Sequence, residues 1–197
     1  MSRKRVAILI SGRGSNMSAL IEAARAPDYP AEIVGVLSNR AAAPGLEIAA
    51  SQGIATASLA QSKFLSRDMF EDVMTQMLES WAVDIVCLAG FMRILGADFV
   101  THWAGRMINI HPSLLPLYKG LHPHQQALDA GATEHGCSVH FVTQGMDEGP
   151  VIAQASVPIL PGDTAETLAA RTLVAEHRLY PEALRLLASG QVTPRQV

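Results

Sequence analysis

Val6-Ala7-Ile8-Leu9-Ile10-Ser11-Gly12-Arg13-Gly14-Ser15-Asn16 decides the fold. Its first five residues are an apolar run without alternation, the mark of a strand covered on both faces, as in a parallel sheet. A glycine-rich turn follows, and Met17 to Arg25 reads as a helix stopped near Pro27. Strand, turn and helix start in this order make a candidate phosphate cradle. Glycine lets the backbone approach an anion, and the helix start offers free N–H groups and the positive end of its dipole. The alternative is a tight turn with Ser15 or Asn16 as helix cap. The dinucleotide pattern G-x-G-x-x-G is half present, since Met17 stands at its third site, and no Walker lysine follows. A single phosphate ester fits such a loop better than a pyrophosphate.

Working outward, Ile33 to Leu37, Ile54 to Ser58, Asp84 to Gly90 and Met107 to Ile110 read as further strands. Gly45 to Gly53 and Arg67 to Trp81 read as helices between them. Alternation of this kind predicts an α/β fold: a doubly wound, mostly parallel sheet with helices on both faces. After the fourth strand, Phe91 to Leu95 is apolar except for Arg93. It either lines a pocket at the strand's carboxyl end or is core, with Arg93 reaching water. Ser138 to Val142 alternates enough for an antiparallel or edge strand. His140 points opposite to Val139 and Phe141, into a pocket or into solvent. Val151 to Pro158 is a last strand, and Asp163-Thr164-Ala165-Glu166 fits a capping box for a helix reaching about Ala188. Glu176 lies among that helix's apolar positions, where an exposed carboxylate is the ordinary reading. The tail from Gln191 to Val197 is expected to be loose.

The second decisive stretch is Met107-Ile108-Asn109-Ile110-His111-Pro112-Ser113-Leu114-Leu115-Pro116. Pro112 cannot continue a central strand, so Asn109 and His111 form a polar pair at an apolar strand's tip. Residues i and i+2 share a face, which brings one amide and one imidazole to the same space. In an open α/β sheet, ligands bind outside that carboxyl end. The bland alternative is a turn cap and a histidine satisfying backbone groups.

With 49% hydrophobic and 17% charged residues, the 197-residue chain is a folded protein within the size of one domain. A net charge of −3 gives no electrostatic reason to expect nucleic acid. Cys87 and Cys137 are isolated, with no disulfide framework, which fits a reducing cytoplasm. No apolar stretch is long enough for a signal sequence or a membrane span. His122 and His124 raise a metal question, but no third ligand stands at a convincing spacing, so no metal is expected.

Five motifs in order, S-G-R-G-S-N (11–16), L-A-G-F-M-R-I-L (88–95), I-N-I-H-P-S-L-L-P (108–116), H-G-C-S-V-H-F-V (135–142) and D-E-G-P-V-I-A-Q (147–154), resemble the folate-dependent formyltransferases. The early loop points to the glycinamide ribonucleotide branch of purine synthesis. The resemblance implies a single formyltransferase domain over residues 1–197. It also implies transfer of a formyl group from 10-formyltetrahydrofolate to the amine of 5′-phosphoribosylglycinamide. By position, it implies that Asn109, His111 and Asp147 are catalytic, and that Gly14, Ser15, Asn16 and Glu176 bind the substrate. The folate site it implies comprises Arg67, Met92, Arg93, Ile94, Leu95, His140, Thr143, Gln144, Gly145 and Met146. Leu117, Lys119, Pro123 and Gln125 depart from the family pattern in the loop beyond the catalytic positions. A metal is not implied; a cytoplasmic monomer or homodimer is. Formyltetrahydrofolate deformylases share much of this early loop, and methionyl-tRNA formyltransferases are a second competing branch. They are expected to carry an additional domain for which this chain has no residues, before Val6 in the one case and after the last helix in the other.

Overall fold

A computed structural model describes residues 2–193, so the tail expected to be loose lies outside it from residue 194 onward. Seven strands form one sheet: β1 Lys4–Ile10, β2 Ala31–Ser38, β3 Ala55–Ser58, β4 Ile85–Leu88, β5 Met107–His111, β6 Glu134–Phe141 and β7 Val151–Pro158. Their order is β3-β2-β1-β4-β5-β6-β7, parallel through β5, with β6 and β7 antiparallel. The expected doubly wound α/β sheet is the one observed.

β1 shows why its residues alternate in destination although not in chemistry. Val6, Ile8 and Ile10 join one core with Met17 and Leu20 of α1 (Ser15–Ala23) and Tyr180 and Leu184 of α6 (Ala165–Ala188). Ala7 and Leu9 join a second core with Phe70, Met74 and Leu78 of α3 (Arg67–Ser80) and Phe99 and Trp103 beyond the opposite face. Both faces are covered, so every position of the run must be apolar. The remaining helices are α2 Pro44–Ser51, α4 Ala97–His102 and α5 Pro123–Asp129.

Local signals set most boundaries. Ser66 caps α3 by accepting from the Met69 N–H at 3.1 Å, a cap worth about 1 kcal/mol. At α6 the expected box is displaced by one residue. Thr164 is the cap, and Thr167 rather than Glu166 returns the reciprocal bond to the Thr164 N–H. Asp163 instead accepts from Thr167 and pairs with Arg171 at 2.6 Å. Two expectations need further correction. α4 was not anticipated, because six residues give too short a window for helical periodicity. β6 begins at Glu134, four residues before the expected start. It lies inside the sheet between β5 and β7, since its antiparallel pairing adds strands to the parallel half without a crossover.

The order reverses between β1 and β4: from β1 the chain goes to β2 on one side and returns to β4 on the other. The crevice at the carboxyl ends of those strands is the expected place for a ligand.

Candidate active site

The loop after β1 meets the loop after β4 at this crevice. Ser11, buried, donates to Asn39 Oδ1 at 2.5 Å and accepts from the Met92 N–H at 2.8 Å, tying the ends of β1, β2 and β4 together. Gly14 precedes α1 with φ 70°, a left-handed conformation that a side chain makes costly, and an added Cβ would press on Met17. The hollow between these loops has a volume of about 330 Å³ and is lined by residues 11–16, Arg40, Ala89, Gly90 and Met92. Gly14, Ser15 and Asn16 are thus together, as expected. Arg13 and Arg40 also line the hollow, and no carboxylate does. Neither arginine is within ion-pair distance of a carboxylate among the described residues. Arg13 stands inside the glycine-rich turn after β1, and Arg40 two residues past the end of β2. Two positive charges in an acidic chain are the signal that was there to find.

Glu176 is not the exposed helix-face carboxylate of the ordinary reading. It is buried, and its Oε2 accepts from Asn16 Nδ2 at 2.6 Å, so α6 reaches the glycine-rich loop through this bond. Burial pushes its carboxyl above the usual range, with the Asn16 bond opposing. Asn16 Oδ1 is buried and has no hydrogen-bond partner among the described residues.

The polar pair on β5 sits beside a second, more apolar cleft of about 150 Å³. Leu88, Phe91, Ile94, Leu95, Val100 and Val142 give its apolar lining, and Arg93 and Thr143–Asp147 edge it. Residues 88–92 form the wall between the two hollows: Leu88 and Phe91 face this one, and Ala89, Gly90 and Met92 face the other. Of the residues expected at a folate site, Arg93, Ile94, Leu95, His140, Thr143, Gln144, Gly145 and Met146 line the cleft together. Met92 lies across the wall, and Arg67 lies in a separate hollow between α3 and α4 with Glu71 and Asp98.

Asn109 pairs in register with His140 of β6, and Asn109 Nδ2 lies 3.2 Å from His140 Nε2. His140 Nδ1 is 2.9 Å from the Phe141 carbonyl, which needs the proton there. In the tautomer that carries that proton, Nε2 accepts from Asn109. Asp147 joins the group from the β6–β7 loop: Oδ2 lies 3.3 Å from His111 Nδ1 and Oδ1 lies 3.6 Å from His140 Nε2. His111 Nε2 is 3.0 Å from the Tyr118 carbonyl, so both ring nitrogens of His111 face oxygen acceptors. His140, which lines the cleft, also stands between Asn109 and Asp147.

The loop that carries Asp147 is held by two devices. Gly149 packs its Cα on the Phe141 carbonyl, where no Cβ fits. The Gly120 N–H donates to Asp147 Oδ2 at 3.0 Å. Asp147 itself has φ 53°, and Tyr118 and His122 have φ 53° and 57°. Left-handed non-glycine residues cost of order 1–3 kcal/mol and collect where surrounding contacts over-determine them. Burial disfavours the Asp147 carboxylate most. The Gly120 N–H and the imidazoles of His140 and His111 beside it together outweigh that, and its carboxyl sits below the usual range.

Behind His111, His124 packs edge-on against His135 with centroids 5.0 Å apart, and burial, then repulsion from His135 and His111, push His124 down to about 4. His122 stays exposed. Among the described residues, no group of three His, Cys, Asp or Glu is placed to hold a metal ion. No helix among them is long and apolar enough to cross a membrane.

Residues 4–184 match the model of the formyl transferase family. The fold is similar to that of phosphoribosylglycinamide formyltransferase from Brucella melitensis, with TM-score 0.93 and 56% identity over 98% of this chain and 100% of that one. The chain is 48% identical to phosphoribosylglycinamide formyltransferase of Escherichia coli (strain K12), over 95% of this chain and 88% of that protein. It is 55% identical to the trifunctional purine biosynthetic protein adenosine-3 of Drosophila pseudoobscura pseudoobscura, over 95% of this chain. The chain spans 14% to 19% of the length of the trifunctional relatives. A family match over all seven strands and most of α6 makes this chain a member of the formyl transferase family.

Proposed function

We propose that the chain transfers the formyl group of 10-formyltetrahydrofolate to the amine of 5′-phosphoribosylglycinamide, a step of purine synthesis. One observation carries this reading: Asp147 lies between two imidazoles and beside a side-chain amide, at the lip of an apolar cleft that shares a wall with a positively charged hollow. The cleft suits a flat heterocycle with backbone groups at its edge. The hollow suits a phosphate monoester, with the α1 N-terminus and two arginines facing it. Asn16 lines this hollow and Glu176 backs it through the Asn16 hydrogen bond, and both are assigned as acceptors for N–H and O–H groups of the substrate.

The acceptor amine attacks the formyl carbon; a C–N bond forms and the carbonyl oxygen becomes an oxyanion. Asn109 Nδ2 and a His111 N–H donate to that oxygen. A preorganised donor of this kind is worth about 2.7–4 kcal/mol of barrier. His111 reaches it by exchanging the Tyr118 carbonyl for the oxyanion. Asp147 favours the imidazolium by its charge and takes part in moving the surplus proton from the attacking nitrogen to the leaving folate nitrogen. Breakage of the bond between the formyl carbon and that nitrogen completes the transfer. The reaction requires neither a covalent enzyme intermediate nor a metal.

The test is to incubate the protein with 10-formyltetrahydrofolate, with and without the ribonucleotide. Formyl loss only when the amine is present, with formylated ribonucleotide as product, is the expected result. Release of formate without the amine would make the protein a deformylase instead.

A further inference from the structure

We propose that Gln154, an exposed residue of β7, is a positioning residue for His111. The three residues His111, Ser138 and Gln154 form one cross-strand row over β5, β6 and β7. Directly opposed side chains on one face of an antiparallel pair are neighbours. The chain that leaves β5 at His111 folds back over this row, and the row holds it. Gln154 Nε2 donates to the Leu115 carbonyl at 2.9 Å and to Ser138 Oγ at 2.8 Å. Ser138 Oγ donates to the Ser113 carbonyl at 2.7 Å and accepts from the Leu115 N–H at 3.0 Å. Ser113 Oγ then donates to the Leu117 carbonyl at 2.6 Å. The next residue is Tyr118, whose carbonyl faces His111 Nε2. The hydrogen bonds thus run from Gln154 through Ser138 and the loop to the residue before Tyr118, whose carbonyl faces the imidazole.

Gln154 is the only donor in this network that reaches the Leu115 carbonyl, and it also fixes the rotor of the Ser138 hydroxyl. With both Nε2 hydrogens used, Ser138 Oγ must turn its own proton to Ser113 and offer its lone pair to Leu115. Losing the donor frees that hydroxyl and leaves the Leu115 carbonyl unmatched. Tyr118 is then free to drift and His111 with it. Because Gln154 touches neither hollow, it acts on the chemistry only through the loop.

The test uses Gln154→Glu, which keeps the shape and removes the N–H donors, and Gln154→Lys, which restores a donor at similar reach. In Gln154→Glu, amide exchange at Leu115 should rise about tenfold. The His111 ring nitrogen signals should shift or broaden in NMR. On the formyl-transfer reading proposed above, kcat should fall about tenfold, with both KM values within about twofold, since small misplacement of a catalytic group acts on rate. Gln154→Lys should recover most of each change. Unchanged Leu115 exchange and an unchanged His111 spectrum in Gln154→Glu would overturn the proposal, as would equal losses in the two variants. Absence of formyl transfer in the unaltered protein would count against the reaction alone, because exchange and ring signals decide the role of Gln154 by themselves.

Discussion

Asp147 faces two imidazoles and accepts from the Gly120 N–H, and two substitutions separate its proposed role from that of Glu176. Asp147→Asn keeps the shape and removes the charge that both histidines face. It should lower kcat by about 10²–10⁴-fold, the usual worth of a positioned proton-transfer group, in steady-state assays at saturating substrates. Because the folded carboxyl of Asp147 sits below its ordinary range, its contribution to stability is present above the unfolded value and is lost as pH falls through the lower folded one. Glu176 has the opposite sign. Its folded value is raised, so the folded state binds the extra proton between the ordinary glutamate value and the higher folded one, and stability declines as pH rises through that window. Glu176→Gln keeps an acceptor for Asn16 and removes the buried charge. It should leave thermal stability equal or higher above that window. It should also weaken the ribonucleotide about tenfold, as loss of one charge-assisted hydrogen bond does, with folate affinity unchanged. Calorimetric titration with each ligand checks this; a change confined to the melting curve would make Glu176 a structural residue.

Elements place these side chains, and they differ in how far sequence revealed them. β1, its glycine-rich turn and α1 were legible because an unbroken apolar run, paired glycines and a helical period are local signals. The Asn109–His111 pair was legible from strand spacing, with Asn109 and His111 reaching the same cluster. Its partners were not, because the pairing of β5 with β6 and the return of the Asp147 loop are set by contacts more than 25 residues distant in sequence; the resemblance named Asp147, while spacing alone could not. Arg13 and Arg40 show a third case: the residues were in view, and only the hollow between their loops gives them a common target. Arg13→Ala and Arg40→Ala should each raise the KM for the ribonucleotide about tenfold, less at high salt, and leave the folate KM unchanged. An equal loss with an acceptor lacking the phosphate would disprove the charge role. Gly14→Ala tests the backbone at the same turn. With φ 70° and Met17 at 3.0 Å from the added carbon, it should cost about 1–2 kcal/mol in urea unfolding.

Across the whole molecule, the carboxyl ends of the central strands border two hollows that share one wall, residues 88–92, with Leu88 and Phe91 on one side and Ala89, Gly90 and Met92 on the other; the proposed reaction puts one ligand in each. A folate analogue should therefore slow hydrogen exchange in residues 91–95 and 143–147, and the ribonucleotide in residues 12–16. Protection of residues 12–16 by the analogue alone would mean that the hollows are not separate sites. Where they meet, Asn109, His111 and Asp147 are proposed to act as one unit, with His140 linking two of them. The most direct test is a double-mutant cycle in kcat with His111→Ala, Asp147→Asn and the pair. Groups sharing one proton and one oxyanion predict a double mutant that loses far less than the product of the single losses. Fully multiplicative losses, or near-normal activity in either single mutant, would contradict a shared mechanism.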